Sequence, residues 1–252
     1  MSGHSKWAGI KHKKAVVDAR KGKLFSKLSR AITVAARQGG GDPEKNAALA
    51  QAIVKAKDAN MPMENIERAI KKGIGADADG SEAYEYLTYE GYGPYGVAVY
   101  VTALSDNRNR TAADIRHIFD RGGGKLGTDG SVSWMFERKG VIFVDASACD
   151  EDTLIAVAIE AGAEDVITEG DAYEIRCAVA DFMDVRRKLE EAGIPYTSAE
   201  LTMIPKTTVS LKTEEEARKT LRLLDALEEY DDVQEVYSNF DIPDEVMRAI
   251  AG

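Results

Sequence analysis

The hydrophobic periodicity of the sequence changes at one place, and this change constrains the fold more than any other feature. Across residues 1–72 the apolar side chains recur about every 3.6 positions and no strand-like run occurs, a pattern that predicts helices. Residues 73–83 (GIGADADGSEA) are polar and glycine-rich, as is typical of a linker. After the linker, short β-rich runs alternate with helical stretches. The sequence therefore predicts an α+β multidomain protein that begins with a three-helix-type domain.

The turn residues of the N-terminal part predict where its helices begin and end. In residues 24–36 the apolar side chains fall on one side of a helix and the cationic side chains on the other. The glycine run 39–41 should end this helix, because glycine permits positive φ. Residues 42–44 (DPE) predict a second helix with the aspartate as its N-cap. The pair 61–62 (MP) predicts the start of a third helix, which Gly73 closes.

The rest of the chain predicts two ferredoxin-like α/β domains, one inserted in the other. Residues 139–204 read as strand, helix, strand, strand, helix and strand, which is the order of that fold. The flanking segments supply the same order in two halves: strand 97–104, helix 111–121 and strand 131–136, then strand 207–211, helix 214–229 and strand 233–237. The predicted domains are a basic helical domain (1–75), a discontinuous α/β domain (83–137 and 206–240), an inserted ferredoxin-like domain (138–205) and a C-terminal tail (241–252).

Charge is distributed unevenly along the chain. The whole sequence carries 33 Lys and Arg against 43 Asp and Glu, a net charge of −10. Residues 1–75 carry sixteen against six, hence +10, so the remainder carries −20. Within residues 1–41 ten side chains are positive and one is negative, as is typical of an arm that binds a polyanion. Either a nucleic-acid backbone or the acidic C-terminal part of the same chain could neutralise this arm, and the sequence leaves both open.

The side chains predicted to contact nucleic acid are cations or lie among cations. They are Lys6, Trp7, Lys11, His12, Lys13, Lys14, Lys23, Lys27, Arg30, Arg37, Arg108, Arg110 and Lys125. Lysine and arginine neutralise phosphates, and an indole beside cations can stack on a base. Two alternatives stay open: Trp7 could instead anchor the first helix, and residues 106–111 (DNRNRT) could cap a helix.

Two further features lie in residues 122–134, just before the predicted inserted domain. Residues 122–128 (GGGKLGT) lack the order of a nucleotide-binding P-loop and follow a predicted helix instead of opening one. They predict a surface loop that approaches a nucleic-acid backbone closely, because glycine lets peptide N–H groups reach phosphates. Trp134 lies in a predicted strand and is expected in the core.

Composition argues against several classes of protein. No apolar run approaches the ~18 residues of a membrane helix, and residues 1–14 lack the apolar stretch of a signal peptide. Two cysteines cannot build a disulfide framework, which favours a reducing cytoplasm. Three scattered histidines show neither metal-ligand nor nucleophile–base spacing. We therefore expect a cytoplasmic protein with no catalytic residues, metal or cofactor, and with no membrane partner.

Eight short motifs resemble those of the YebC/PmpR family. They are residues 3–7 (GHSKW), 10–14 (IKHKK), 39–43 (GGGDP), 60–62 (NMP), 65–70 (NIERAI), 89–94 (YEGYGP), 106–111 (DNRNRT) and 127–132 (GTDGSV). The resemblance spans essentially the whole chain. The sequence departs from the family pattern at Tyr95, where a glycine is expected, and at Met63 and Glu64, where Lys and Asp are expected.

The resemblance implies a three-domain cytoplasmic protein with a non-enzymatic role in gene expression. Members of the family are usually described as DNA-binding transcriptional regulators, so DNA is the first partner implied. Some members, including mitochondrial relatives, resemble translation factors, so ribosomal RNA or the ribosome is the alternative partner. A small-ligand sensor or enzyme on the ferredoxin-like domains, and a scaffold for basic proteins, stay open as other classes. A monomer is favoured, because neither a recognition helix nor a dimer interface stands out.

Overall fold

The computed structural model describes residues 18–75 and 84–251 of the chain. The helices in these residues are α1 (Asp18–Gly39), α2 (Ala47–Asp58), α3 (Met63–Ile74), α4 (Arg108–Arg121), α5 (Glu151–Glu160), α6 (Phe182–Glu191), α7 (Glu214–Glu229) and α8 (Asp244–Ala251). The strands are β1 (Glu85–Tyr92), β2 (Ala98–Ser105), β3 (Lys125–Leu126), β4 (Phe136–Asp145), β5 (Ala163–Glu169), β6 (Ala172–Cys177), β7 (Ser198–Pro205), β8 (Val209–Ser210), β9 (Val233–Ser238) and β10 (Phe240–Asp241). These elements confirm the predicted α+β class.

The chain divides into two compact units. Residues 136–206 form one unit, which we call the inserted domain. The second unit comprises residues 18–75, the helical domain, together with residues 84–135 and 207–251, the outer domain. In the helical domain Leu28 and Ile32 of α1 are buried in one cluster with Leu49 of α2 and Ile66 of α3. This cluster agrees with the apolar side predicted for the first helix.

The junction between α1 and α2 differs in part from the prediction. Helix α1 ends at Gly39, as the glycine run predicts. Helix α2 starts later than predicted, because Asn46 is its N-cap and accepts a hydrogen bond from the N–H of Leu49 at 3.1 Å. The Asn46 amide also donates to two carbonyl groups, of residues 35 and 40, which an aspartate cannot do. Asp42 instead caps a turn by accepting from the N–H of Glu44.

Helix α3 starts where predicted, but Gly73 does not end it. Pro62 is the N-cap and the helix continues to Ile74. Gly73 is buried beside α1, where a β-carbon would lie 2.5 Å from the carbonyl oxygen of Thr33 and 2.7 Å from the β-carbon of Ala36. Glycine is therefore needed here for the close approach of α3 to α1. The prediction that Gly73 ends the helix is wrong.

The outer domain is an antiparallel sheet covered on one face by two helices. Its strand order is β3-β1-β2-β9, with each neighbouring pair antiparallel. Val99 and Val101 of β2 are buried in one core with Ile115 and Phe119 of α4 and with Leu224 of α7. Because side chains alternate along a strand, the opposite face of the sheet carries Tyr86, Glu90 and Tyr92 of β1 and Tyr100 of β2.

Two strands of the outer domain are not the predicted ones, although its sheet keeps the ferredoxin-like layout. Strand β3 replaces the strand predicted at 131–136, and Ser133–Met135 form a 3-10 turn. Strand β1 occupies the position in the sheet that was predicted for residues 207–211. Those residues contain β8, which pairs with β10 instead. The hairpin of β1 and β2 pairs over eight residues, and such local pairing between sequential strands is the commoner outcome.

The inserted domain has the predicted order of elements. Its sheet has the strand order β5-β6-β4-β7, with all neighbours antiparallel, as the ferredoxin-like fold requires. Leu154 of α5 and Leu189 of α6 are buried in one core with Ile142 of β4 and Ile175 of β6.

The predicted C-terminal tail at 241–252 is wrong for residues 241–251. Asp241 belongs to β10, and α8 follows. Met247 of α8 is buried in the core of the outer domain, with Val246 and Ile250 beside that core. Residues spaced three and four apart lie on one side of a helix, so this segment carries a core-facing apolar side.

Candidate nucleic-acid interface

The cationic side of α1 faces the C-terminal end of α7. Lys23 donates to the carbonyl oxygen of Glu229, and its Nζ lies 3.1 Å from a carboxylate oxygen of Asp231. Lys27 donates to the carbonyl oxygen of Glu228 at 2.7 Å. The last carbonyls of a helix have no partner inside the helix and form the negative end of its dipole. Two lysines of the helical domain therefore cap α7 of the outer domain.

Two more cations extend this contact, which we call the α1–α7 contact. Arg30 Nη1 lies 3.3 Å from Oδ1 of Asp232, and its guanidinium lies 5.5 Å from the ring centre of Tyr84. Lys55 of α2 pairs with Glu235 of β9. The outer domain thus compensates cations of both α1 and α2.

Lys23, Lys27 and Arg30 are among the side chains predicted to contact nucleic acid, but in the structure they face the outer domain of the same chain. The alternative, in which the acidic part of the chain neutralises the basic part, describes these three residues. Their spacing shows which side of the helix is basic. It carries no information about what lies opposite that side, because the acidic partners are about 200 positions away.

The ammonium group of Lys27 is held in an unfavourable electrostatic setting. Burial, together with the neighbouring charge of Lys23, lowers the pKa of Lys27 to about 8. Glu228 and Asp231 act in the opposite direction but do not offset the burial. The charged form is thus penalised in the folded protein, and a rise of pH through about 8 relieves the penalty.

Asp232 connects the α1–α7 contact to the start of α4. It is 6% exposed, and its Oδ2 accepts hydrogen bonds from Arg110 at 2.8 Å, Thr111 at 2.7 Å and Ser105 at 3.1 Å. Burial alone would raise the pKa of Asp232, but these hydrogen bonds outweigh it and hold the pKa below the ordinary 3.8. Arg110 also pairs with Asp106 at 2.7 Å, so its guanidinium is engaged within the outer domain.

The remaining predicted contact residues fall into three groups. Arg108 is exposed at the start of α4, where Asn107 is the N-cap and accepts from the N–H of Arg110, and Lys125 is exposed on β3. The capping alternative for residues 106–111 is thereby seen. Arg37 is half-buried in the last turn of α1. Lys6, Trp7, Lys11, His12, Lys13 and Lys14 lie outside the described residues.

Glycine-rich segments meet at one end of the outer sheet. Tyr92 of β1 pairs with Lys125 of β3 across the sheet edge. A β-carbon on Gly124 would lie 2.6 Å from the carbonyl oxygen of Tyr92, and one on Gly123 would lie 3.0 Å from Cε of Lys219. Glycine therefore lets the turn after α4 approach both β1 and α7. We define the glycine-loop surface as the exposed residues Tyr92, Tyr95, Lys125, Trp134 and Lys219.

A buried carboxylate fixes the loop that leads to Trp134. Glu90 accepts hydrogen bonds from the backbone N–H groups of Gly130 at 2.8 Å, Val132 at 2.7 Å and Ser133 at 2.8 Å. Burial acts to raise the pKa of Glu90, but the three backbone donors outweigh it and hold the pKa below the ordinary 4.5. At neutral pH the carboxylate is therefore ionised, and it binds three backbone N–H groups of the loop.

The expectation that Trp134 lies in the core is wrong. It belongs to the 3-10 turn Ser133–Met135 and is 63% exposed, and its indole N–H donates to the carbonyl oxygen of Ser131 at 3.2 Å. Tyr92 and Lys219 are not among the side chains predicted to contact nucleic acid, and Tyr95 is noted above only as a departure from the family pattern. The available signal was Tyr95, a large aromatic residue at a turn position where glycine is expected.

Two classes of site are missing from the part of the chain that the structure describes. Within residues 18–75 and 84–251, no group of three or more His, Cys, Asp or Glu is arranged to hold a metal ion. Over the same residues, no helix combines the length and apolarity needed to cross a membrane.

Comparison with known proteins gives matches along nearly the whole chain. The family model described as the TACO1/YebC protein N-terminal domain matches residues 5–76, and the model described as the TACO1/YebC second and third domain matches residues 84–240. A probable transcriptional regulatory protein of Rubrobacter xylanophilus is 62% identical over 252 residues, with 100% of each chain covered. One of Halothermothrix orenii is 59% identical over 252 residues, with 99% of each covered. The crystal structure of a conserved hypothetical protein from Aquifex aeolicus is 52% identical, covers 96% of this chain and 99% of that chain, and gives a TM-score of 0.82.

Proposed function

Since this chain belongs to the YebC/PmpR family, we propose that it is a non-enzymatic regulator of gene expression that binds nucleic acid. The description of its relatives as probable transcriptional regulatory proteins supports the regulatory role. We place the protein in the cytoplasm, in keeping with the free thiols of Cys149 and Cys177.

One observation carries the nucleic-acid part of the proposal. Residues 6–14 (KWAGIKHKK) contain four lysines, one tryptophan and one histidine, and no carboxylate. The other cations of the basic arm include Lys23, Lys27 and Arg30, which the outer domain compensates. The four lysines of residues 6–14 are therefore the main candidates for contacts with phosphates, and the exposed Arg108 and Lys125 supplement them.

DNA is the first partner under this proposal, because the relatives are described as transcriptional regulators. An RNA partner, as in a translation factor at the ribosome, is the second candidate, and one observation favours it. The cationic side of α1 lies against α7, so this helix does not offer that side to a major groove. Docking on one side of a folded RNA requires no helix that enters a groove.

The electrostatic part of the proposal is tested by the salt dependence of binding. If Lys6, Lys11, Lys13, Lys14, Arg108 and Lys125 each neutralise one phosphate, log K against log salt should slope at about −5 on duplex DNA. The affinity of the full chain for a labelled duplex would be measured by fluorescence anisotropy at several salt concentrations. An affinity independent of salt would refute the phosphate contacts.

Two triple variants provide a matched comparison. Replacing Lys11, Lys13 and Lys14 by Ala should weaken binding on all sequences and reduce the size of the slope by about 3. Replacing Lys23, Lys27 and Arg30 by Ala removes the same charge but should leave the slope unchanged, because these cations are compensated within the protein. The opposite pattern would show that the cationic side of α1 leaves α7 to bind nucleic acid.

The two candidate partners are separated by a single paired experiment. Tagged full-length protein would be sedimented with ribosomal subunits, and the same preparation would be used to capture genomic DNA fragments. Co-sedimentation that the K11A/K13A/K14A variant loses, without enrichment of DNA, would assign the RNA partner. Enrichment of particular DNA fragments without co-sedimentation would assign transcription.

A further inference from the structure

The glycine-loop surface exposes three aromatic side chains, two of which are held in place by hydrogen bonds. Tyr92, Tyr95 and Trp134 are 37%, 44% and 63% exposed. The hydroxyl of Tyr92 and the indole N–H of Trp134 both donate to the carbonyl oxygen of Ser131, each at 3.2 Å. Because Glu90 fixes the loop that contains Ser131, both rings have fixed polar edges. Aromatic groups positioned in advance lose little entropy when they bind a flat ligand.

Tyr95 adopts a backbone conformation that is unfavourable for residues other than glycine. Its φ of 61° and ψ of 18° lie in the left-handed region, which glycine occupies without strain and larger residues rarely adopt. The side chain does not offset this cost in the core, because it is exposed, with Nζ of Lys219 lying 5.8 Å from its ring centre. Strain of this kind concentrates at binding sites. A ligand for the exposed ring would account for a tyrosine at this position.

Cations lie beside these rings. Lys125 stands opposite Tyr92 across the pair of β1 and β3, and Lys219 lies over Tyr95. The carboxylate of Glu90 is buried among backbone donors, whereas that of Asp129 is exposed at the tip of the loop. An extended anion would therefore approach from the side of the two lysines and away from Asp129.

We propose that the glycine-loop surface binds unpaired bases of RNA, with Tyr95 and Trp134 as stacking platforms and with Lys125 and Lys219 beside the backbone phosphates. Exposed aromatic faces combined with nearby cations are the recurring means of binding single strands, because every base offers a π-face. RNA is the occupant because its loops and bulges display unpaired bases, whereas a duplex buries them. The inference rests on the second candidate of the proposed function, the RNA partner, and names the form in which that RNA is bound.

The test compares an unpaired with a paired form of the same polymer. The probes are a fluorescein-labelled RNA hairpin with about eight unpaired loop nucleotides, a fully paired RNA of equal total length, and the DNA version of the hairpin. Full-length protein is titrated into each probe at fixed salt, and binding is followed by anisotropy. The wild type is expected to bind the RNA hairpin about tenfold more tightly than the paired RNA, in line with one or two stacked bases.

Substitutions then separate stacking from folding. Y95G removes the ring and the backbone strain together, so it should weaken hairpin binding by about tenfold while the thermal midpoint stays equal or rises. W134A should weaken hairpin binding to a similar extent, and neither variant should change the salt slope. Y86A is the matched control: Tyr86 is 58% exposed at the other end of β1, about 20 Å along the strand. Its removal should leave hairpin binding unchanged.

The outcomes distinguish this inference from the proposed function. If the wild type binds paired RNA and hairpin equally and Y95G and W134A bind like the wild type, the stacking surface is refuted while the proposed function stands. If Y86A weakens binding as much as Y95G, the assignment to the glycine-loop surface is also refuted. A DNA hairpin bound as tightly as the RNA hairpin would refute the choice of RNA. If no probe binds the full chain at low salt, the proposed function fails as well.

Discussion

Replacing Asp232 by Asn tests how the helical and outer domains hold together. The substitution keeps the shape of the side chain and removes its charge. In the wild type Oδ2 accepts from Arg110, Thr111 and Ser105, and Oδ1 faces Arg30 at 3.3 Å. An amide has a single oxygen, so an Asn that keeps the three donors on the Oδ2 side must turn its NH₂ group toward Arg30. The substitution should therefore remove more stabilising interaction from the α1–α7 contact than from the start of α4.

The size of the effect follows from these contacts. A hydrogen bond to a charged group contributes about 1 kcal/mol more than a neutral one. Arg110 is 47% exposed, so water screens its ion pair with Asp232 and reduces the contribution of that pair to stability. We expect D232N to lower the free energy of unfolding by about 2 kcal/mol at pH 7. Asp231 offers the control, because it pairs with Lys23 but is 74% exposed, and D231N should change the free energy by less than about 0.5 kcal/mol.

The pH dependence gives this prediction a second readout. The folded state holds the pKa of Asp232 below 3.8, so its contribution is fully present above pH 3.8 and is lost as the pH falls through the lower folded value. The difference between wild type and D232N should thus be constant from neutral pH down to about pH 5 and shrink below pH 3.8. Urea unfolding followed by circular dichroism measures it. Equal losses for D232N and D231N, or a difference that does not shrink in acid, would refute the reasoning.

Four further substitutions test other parts of the structure. K27M should lack a rise in unfolding free energy that the wild type gains between pH 7 and pH 10, because a folded pKa of about 8 against 10.5 leaves more protons on the unfolded state; urea unfolding at both pH values checks this. E90Q should cost about 2 kcal/mol at neutral pH and less below pH 4.5, with faster hydrogen exchange in residues 127–133, since the lowered pKa of Glu90 makes its contribution disappear in acid. Gly73→Ala should destabilise the protein by about 1–3 kcal/mol through its clash with α1. Gly22→Ala should stabilise it by about 0.5–1 kcal/mol, because no atom other than the adjacent backbone of the same helix lies within 4 Å of the added methyl group; thermal unfolding compares the two glycine variants.

Features encoded by neighbouring residues could be predicted from the sequence. The end of α1 at the glycine run and the start of α3 at Pro62 depend on backbone preferences of the residues themselves. The order of the inserted domain followed from alternation and turn residues within 66 positions. Its strands pair as that order requires, because each apolar side must be buried against the two helices.

Features that depend on distant residues could not be predicted. The cationic side of α1 was recognised, but its acidic partners at residues 228–235 become neighbours through the fold alone. Strand β1 took the place expected for 207–211, because a long hairpin competes successfully with a remote segment. The turn of Trp134 depends on Glu90, more than 40 positions away, which organises the loop through backbone donors that no side-chain pattern displays. Local periodicity therefore misread residues 131–136 as a strand.

The charge of the molecule and its exposed aromatic side chains act on separate measurable quantities. A net charge of −10 repels nucleic acid at long range, so productive contacts must be concentrated in a few places. Phosphate contacts by the lysines of residues 6–14 would set the salt slope and would not distinguish paired from unpaired strands. Stacking on Tyr95 and Trp134 would set the preference for unpaired bases and would leave the salt slope unchanged. Variants that change one quantity without the other would therefore assign the two contributions independently, whereas variants that always change both would require a single shared binding surface.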